Sequence, residues 1–249
     1  MIKIGILGEG WLGSYLLQRL QENGFDVRGA KSFGCYFRNN RWEGELPEFL
    51  EGLSYLIITI PSGASRNTND AKDGNLPLFK QLIGHINKNP NLTVFYTSSI
   101  SVYGKAEKVI DENTKLDPKT SSAKVIARIE EEFENSPIQR FNALRLGGLM
   151  GEGRHPIYSL LSRQKSTASN ELINFIDRED IVQCIRWLFD HPKEGPLNLV
   201  APFHPTKKEY YTKIAGERNL SLPIFKEGGI ASEVVSIKLP LKQLCSKGI

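Results

Sequence analysis

Gly8, Gly10 and Gly13 stand at G-x-G-x-x-G spacing within Gly8-Glu9-Gly10-Trp11-Leu12-Gly13. The chemistry such a triplet offers is diphosphate binding. The first glycine makes a tight turn, the second lets bare main chain approach the phosphates, and the third lets a helix pack closely on a strand. The N–H groups and dipole at the start of that helix favour an anion. A glycine-rich turn with no ligand can share the pattern, so the flanking residues decide.

The flanks have the required form. Ile2-Lys3-Ile4-Gly5-Ile6-Leu7 reads as a buried strand, Leu12, Leu16 and Leu20 recur at four-residue spacing, and Asn23-Gly24 is a helix stop. A strand, a glycine turn and a helix in that order predict a dinucleotide fold, with Gly8, Glu9, Gly10, Trp11, Leu12 and Gly13 against the cofactor. Phe25 to Ala30 reads as the second strand. Dinucleotide folds that hold NAD place an acidic residue about 20 residues beyond the glycines, for the ribose 2′-OH, whereas a basic residue suits a 2′-phosphate. Here the chain has Ala30-Lys31-Ser32, with Arg28 just upstream and no carboxylate. Charge therefore favours NADP over NAD, with Lys31 and Ser32 near the phosphate; Lys31 as a solvated loop lysine is the plainer reading.

Tyr55 to Ile60 is a near-continuous apolar run, as expected of a parallel strand buried on both faces. Ligands in open α/β sheets lie at the carboxyl ends of strands, which makes Ile60, Pro61 and Ser62 cofactor-lining candidates. Leu92 to Thr97 is a further buried strand, and Ser98 at its carboxyl end joins these cofactor-lining candidates. A short third strand is expected around Cys35-Tyr36-Phe37, short helices at Leu46–Leu50 and Leu76–Ile86, and a polar connection from Asn67 to Gly74. Strands alternating with helices predict a Rossmann-type, doubly wound parallel sheet.

The texture changes near Arg140. A strand-like Asn142–Leu146 leads to the glycine-rich 147–153, a helix from Pro156 to Gln164, an extended Asn174–Ile176, a helix from Asp180 to Asp190 and a capping box at Thr206–Glu209. The expected division is a dinucleotide-binding domain over residues 1–140 and a smaller C-terminal substrate subdomain over 141–249, interleaved with the sheet and closing over the cofactor.

Composition narrows the partners. With 32 basic and 28 acidic residues the net charge is +4, too near balance for a nucleic-acid binder, and no run of like charges marks a membrane-binding patch. Cys35, Cys184 and Cys245 are odd in number and far apart, so a disulfide framework is not expected. The start has no signal-peptide pattern, and the expected setting is the reducing cytoplasm. The four histidines show no metal-ligand spacing, so no metal is expected.

Four segments together resemble the extended short-chain dehydrogenase/reductases, in particular the NAD-dependent epimerase/dehydratase branch. They are Gly8–Gly13; Thr97-Ser98-Ser99-Ile100-Ser101-Val102-Tyr103-Gly104; Leu144 to Gly153; and Asn174 to Ile181, in order over residues 2–200. The resemblance implies a Ser or Thr that positions a substrate oxygen, a Tyr that exchanges the proton, and a Lys four residues on that lowers the Tyr pKa and bonds the nicotinamide ribose. Ser99 matches the first role and Lys124 the last, but Thr120 stands four residues before that lysine. An aliphatic hydroxyl is too weak an acid for the proton role, whereas a phenol starts near 10. The match fits an atypical subgroup that keeps the glycines and lacks the Tyr.

Several readings stay open at this point. Lys124 holds the ribose or is an exposed helix lysine, and Tyr103 is more readily a packing residue than a substitute phenol. Arg154 and Asn174 are candidate substrate contacts, more readily structural. The chain is an oxidoreductase or epimerase acting on a small sugar-like or carbonyl substrate, or a catalytically silent NADP(H)-binding regulator. The resemblance also implies a homodimer through two long helices of the nucleotide domain.

Overall fold

The computed structural model describes residues 2–38, 41–63, 73–105, 108–164 and 166–245 of the 249-residue chain. Six strands form the main sheet: β1 (Lys3–Leu7), β2 (Asp26–Gly29), β3 (Tyr55–Ile58), β4 (Thr93–Ser99), β5 (Arg140–Leu146) and β6 (Leu197–Leu199), in the order β6-β5-β4-β3-β1-β2. The β1–β2, β1–β3 and β3–β4 pairs are parallel. The chain passes from β1 to β2 on one side and then crosses to β3 on the other. The switch point of the topology therefore lies at the carboxyl ends of β1 and β3, where such sheets hold ligands.

The chain divides into two compact units. Unit 1 comprises the described residues of Met1–Val102, Leu116–Arg145 and Pro192–Leu197; unit 2 comprises those of Tyr103–Lys115, Leu146–His191 and Asn198–Ile249. Unit 1 carries the helices α1 (Trp11–Glu22), α2 (Leu46–Leu50), α3 (Leu76–Ile86) and α4 (Ser121–Glu134). Leu7, Leu56, Ile58, Val94 and Tyr96 pack with side chains of α2, α3 and α4 in one core. Ile4, Ile6, Ile57 and Phe95 have the opposite parity along their strands, point to the other face, and are also buried. Burial on both faces is the reason these strands read as unbroken apolar runs.

Among the described ion pairs of unit 1, one has both partners buried. Arg145 on β5 and Glu130 on α4 have side chains only 4% and 1% exposed, and Arg145 Nη2 lies 2.6 Å from Glu130 Oε2. Ser98 at the end of β4 donates its hydroxyl to the same carboxylate. A buried carboxylate needs such partners, since removing one partner of a buried pair costs about 3–5 kcal/mol.

The expected third strand is present as Tyr36–Arg38, but it pairs antiparallel with Arg41–Glu43 as a separate hairpin and not in the main sheet. Gly34, in the left-handed region at φ +62°, turns the chain out of β2's direction just before it. Most of the polar stretch Asn67 to Gly74 lies outside the described residues.

Unit 2 is built around α5 (Pro156–Ser162), α6 (Arg178–Asp190), α7 (Lys207–Glu217) and α8 (Leu241–Leu244). Helix α7 opens on the expected capping box, with Thr206 and Glu209 each bonding the other's backbone N–H. The buried Glu112 accepts N–H bonds from Asn198 at 3.0 Å and Ile237 at 2.9 Å, tying the C-terminal segment down. The side chains of Cys184 and Cys245, 61 positions apart, are neighbours, and the Cys245 thiol together with burial pushes the Cys184 thiol well up. Their separation in sequence hid this neighbourhood. Among the described residues, no helix is long and apolar enough to cross a membrane.

Candidate functional site

The glycine loop leaves β1 at the switch point, and its three glycines have different surroundings. Gly8 has φ +106°, and a side chain there would meet the backbone of Ile60 at 2.9 Å. A Cβ on Gly13 would lie 2.1 Å from the Gly8 carbonyl oxygen and 2.5 Å from Thr59 Oγ1. These two glycines are required by the chain itself. Gly10 is not: its backbone is at φ −84°, ψ −158°, and an added Cβ would meet nothing within 4 Å. Gly10 is the N-cap of α1, with no side-chain cap and no acidic residue in the first turn. The helix start therefore presents bare main chain and a positive dipole end to an open space.

Neighbouring loops hold this one in place. Thr59, just beyond β3, donates its hydroxyl to the Gly8 carbonyl, and Ser14 Oγ donates to the Glu9 carbonyl at 3.0 Å. Asn75 fixes the Pro61–Gly63 loop, donating from Nδ2 to the Pro61 carbonyl at 2.8 Å and from its backbone N–H to the Ser62 carbonyl at 2.7 Å. Thr59 and Asn75 were missed in the sequence because nothing marks a threonine or asparagine as the clamp of a distant turn. A cavity of about 250 Å³ opens beside the loop and brings together Gly8, Glu9, Lys31, Tyr36, Trp42 and Ile60. A larger depression of about 610 Å³ around Pro47, Gly52, His85 and Asn89 lies at the amino ends of β3 and β4, away from the ligand edge.

The basic groups on which the sequence argument for NADP rests have other work. Arg28 Nη2 donates to the Phe49 carbonyl at 2.7 Å and to that of Glu51, at the carboxyl end of α2, with its guanidinium 5.2 Å from the Phe33 ring centre. Lys31 Nζ donates to the Glu9 carbonyl at 3.1 Å. Ser32 Oγ donates to the Gly29 carbonyl at 2.7 Å.

On α4 the expected pair is separated from the loops. Thr120 Oγ1 accepts the Ala123 N–H at 3.1 Å, so this residue is the N-cap of the helix. Ser122 Oγ lies 3.0 Å from Ser62 Oγ, and this is the face that α4 turns toward the loop after β3. Lys124, two positions on, is about 200° further round the helix and exposed, lining a different depression with Leu116 and Pro118. Lys124 therefore lies on the side of α4 away from Ser62. Ser99 Oγ accepts the Ser101 N–H at 3.2 Å. Ser98 is committed to Glu130, inside the sheet edge.

In unit 2, Tyr103 Oη donates to Asn198 Oδ1 at 2.8 Å and the residue is only 4% exposed, so it packs. Asn174 donates from Nδ2 to the Ser232 carbonyl and accepts the Val234 N–H, a structural role. A cavity of about 690 Å³ is lined by Arg154, His155, Tyr158, Asp177, Tyr210 and Arg218 among others. His155 Nδ1 accepts the Ile157 N–H at 3.2 Å, which leaves Nε2 to donate to Tyr210 Oη at 2.8 Å; Tyr210 in turn donates to Met150 Sδ. Burial and, secondarily, the Arg218 charge lower the His155 pKa to about 4. Burial raises that of Tyr210 to about 12.

Comparison with known proteins agrees with this architecture. The chain is 30% identical over 243 residues to Protein YeeZ of Escherichia coli (strain K12), an alignment covering 91% of this chain and 87% of YeeZ. UDP-N-acetylglucosamine 4-epimerase from Bacillus cereus has the same fold, with a TM-score of 0.74 at 18% identity over 100% of this chain and 95% of that one. The NAD complex of UDP-glucuronic acid 4-epimerase from Bacillus cereus gives a TM-score of 0.74 at 14% identity, covering 98% and 92%. Residues 5–200 match the NAD dependent epimerase/dehydratase family, and the chain belongs to it.

Proposed function

We propose that the chain binds a nicotinamide dinucleotide at the Gly8–Gly13 loop and uses it for oxidoreduction or epimerisation of a small polar substrate, a sugar-like hydroxyl or a carbonyl compound. The observation that carries this reading is Gly10: neither its backbone angles nor its neighbours require a glycine, so the missing Cβ leaves room for something outside the chain. The bound dinucleotide would supply hydride acceptance or donation. The Gly10 N–H is closed on the Gly8 carbonyl at 2.9 Å, so the main chain of Trp11 and Leu12 at the helix start would hold its diphosphate, with Gly10 giving it room and Gly13 letting the helix pack close. Ile60, Pro61 and Ser62 would line its nicotinamide half. Family membership and the NAD and sugar-nucleotide complexes among the structural neighbours support the same class of ligand.

The residue on α4 that meets Ser62 is Ser122; Ile126, one turn on along the same side, packs against the core. Our reading therefore replaces the Thr120–Lys124 pair by Ser122 and Ile126, with Ser99 retained as the hydroxyl nearest the end of β4. Neither an acidic phenol nor an ammonium group stands on that face. This favours a second reading, a dinucleotide-binding regulator without turnover.

Two measurements decide. Calorimetric titration with NADH and NADPH tests the binding, and no heat with either at millimolar concentration overturns it. A turnover screen over carbonyl compounds and nucleotide sugars then separates enzyme from regulator, since binding without consumption of any substrate supports the regulator. The double substitution Ser122→Tyr, Ile126→Lys should raise activity where Thr120→Tyr does not. Free thiols fit a reducing compartment such as the cytoplasm, and a homodimer is checked by light scattering.

A further inference from the structure

The end of β2 lacks an acidic residue in sequence but not in space. Glu9, the variable residue between the first two glycines, folds back across the sheet edge so that its carboxylate covers Gly29, the last residue of β2. A Cβ on Gly29 would lie 2.5 Å from the carboxyl carbon and from Oε1 of Glu9. Oε1 accepts the backbone N–H of Lys31 at 2.7 Å, which fixes the carboxylate beside the cavity that opens from the glycine loop. Gly29 thus leaves room for an acid delivered from another loop.

We infer that Glu9 is the ribose-recognising acid of this protein and that it selects NAD(H) against NADP(H). The inference rests on the proposed dinucleotide site and goes beyond it by naming the form of the cofactor. A carboxylate with one oxygen held by the Lys31 N–H still has lone pairs on the other for a ribose 2′-OH. A 2′-phosphate at the same place would meet that negative charge at close range. Of the nearby cations Arg28 is turned away to cap α2, which leaves Lys31, its Nζ on the Glu9 main-chain carbonyl, as the one cation set against that carboxylate. The glycine loop thereby reads both the diphosphate and the ribose.

The test is calorimetric titration of the full chain with NADH and NADPH, with binding itself as the readout. The wild type should bind NADH about tenfold or more tightly than NADPH, with the ratio shrinking as salt screens the charge. Glu9→Gln keeps an acceptor for the Lys31 N–H and removes the charge, so its ratio should fall toward unity. Lys31→Ala should leave the ratio within about twofold of wild type, whereas a lysine that reads a 2′-phosphate would lose NADPH selectively. Equal or tighter NADPH binding by the wild type overturns the inference while the dinucleotide site stands, as does an unchanged ratio in folded Glu9→Gln. Failure to bind either cofactor overturns the site itself.

Discussion

Two stretches, Gly8–Gly13 in unit 1 and Gly147–Gly153 in unit 2, are both rich in glycine, yet their surroundings differ. In the second, an added Cβ on Gly147 would meet the Asn174 carbonyl oxygen at 2.6 Å, and one on Gly148 would meet the Phe175 ring at 2.4 Å. Those glycines let Gly148–Met150 pair with Phe175–Asp177. The first stretch has the same kind of internal demand at Gly8 and Gly13, and an outward space at Gly10. Glycine content alone therefore does not mark a binding loop. The mark at Gly10 is a glycine that the protein does not itself need, placed at a helix start on the carboxyl edge of the sheet.

The largest expected effect is at a position where the chain fills the space. Gly13→Val drives a branched side chain into the Gly8 carbonyl and should destabilise unit 1 by about 3 kcal/mol or more, seen as a large drop in thermal midpoint or loss of soluble protein. Gly148→Ala should cost about 1–3 kcal/mol through the Phe175 ring while leaving dinucleotide affinity unchanged, which calorimetry on the folded variant would show. Gly10→Ala should reverse that pattern. Its melting temperature should stay within about 1 °C of wild type, while affinity falls by about tenfold, or 1.4 kcal/mol. If Gly10→Ala binds as tightly as wild type, the contrast between the two stretches has no functional meaning.

The smallest expected effect lies just beyond the second stretch, at His155. Its folded pKa of about 4 is below the ordinary value of 6.5, so the unfolded chain takes up the proton first. Stability from the neutral ring is complete above about pH 6.5 and falls away as the pH drops through about 4. Melting curves between pH 7 and 4.5 should show a decline of a few degrees that His155→Gln lessens, because the variant has no ring to protonate.

The sheet and most helices were legible because they depend on local periodicity. Leu12, Leu16 and Leu20 mark α1 wherever the rest of the chain lies, and Tyr55–Ile60 is apolar because β3 is covered on both faces. The diphosphate loop was legible for the same reason, its motif being contiguous. The groups that surround it were not. Glu9 was readable as a loop residue, but its place over Gly29 depends on a fold-back of one side chain. Arg28 counts toward a basic setting in sequence because no local pattern reveals that the carboxyl end of α2 receives it. The Thr120–Lys124 spacing was visible, but which face of α4 meets Ser62 is set by how the helix is rotated on the sheet. Periodicity gives that rotation only to within a residue or two.

The way unit 1 is assembled from three separate stretches has a consequence for its synthesis. Glu130 emerges from the ribosome before Arg145, and the strand segment in Pro192–Leu197 later still. A nascent chain halted at residue 140 holds a carboxylate with no cation to accompany it into the interior. The amino-terminal half should therefore stay open and protease-sensitive on the ribosome until at least the fifth strand has been translated.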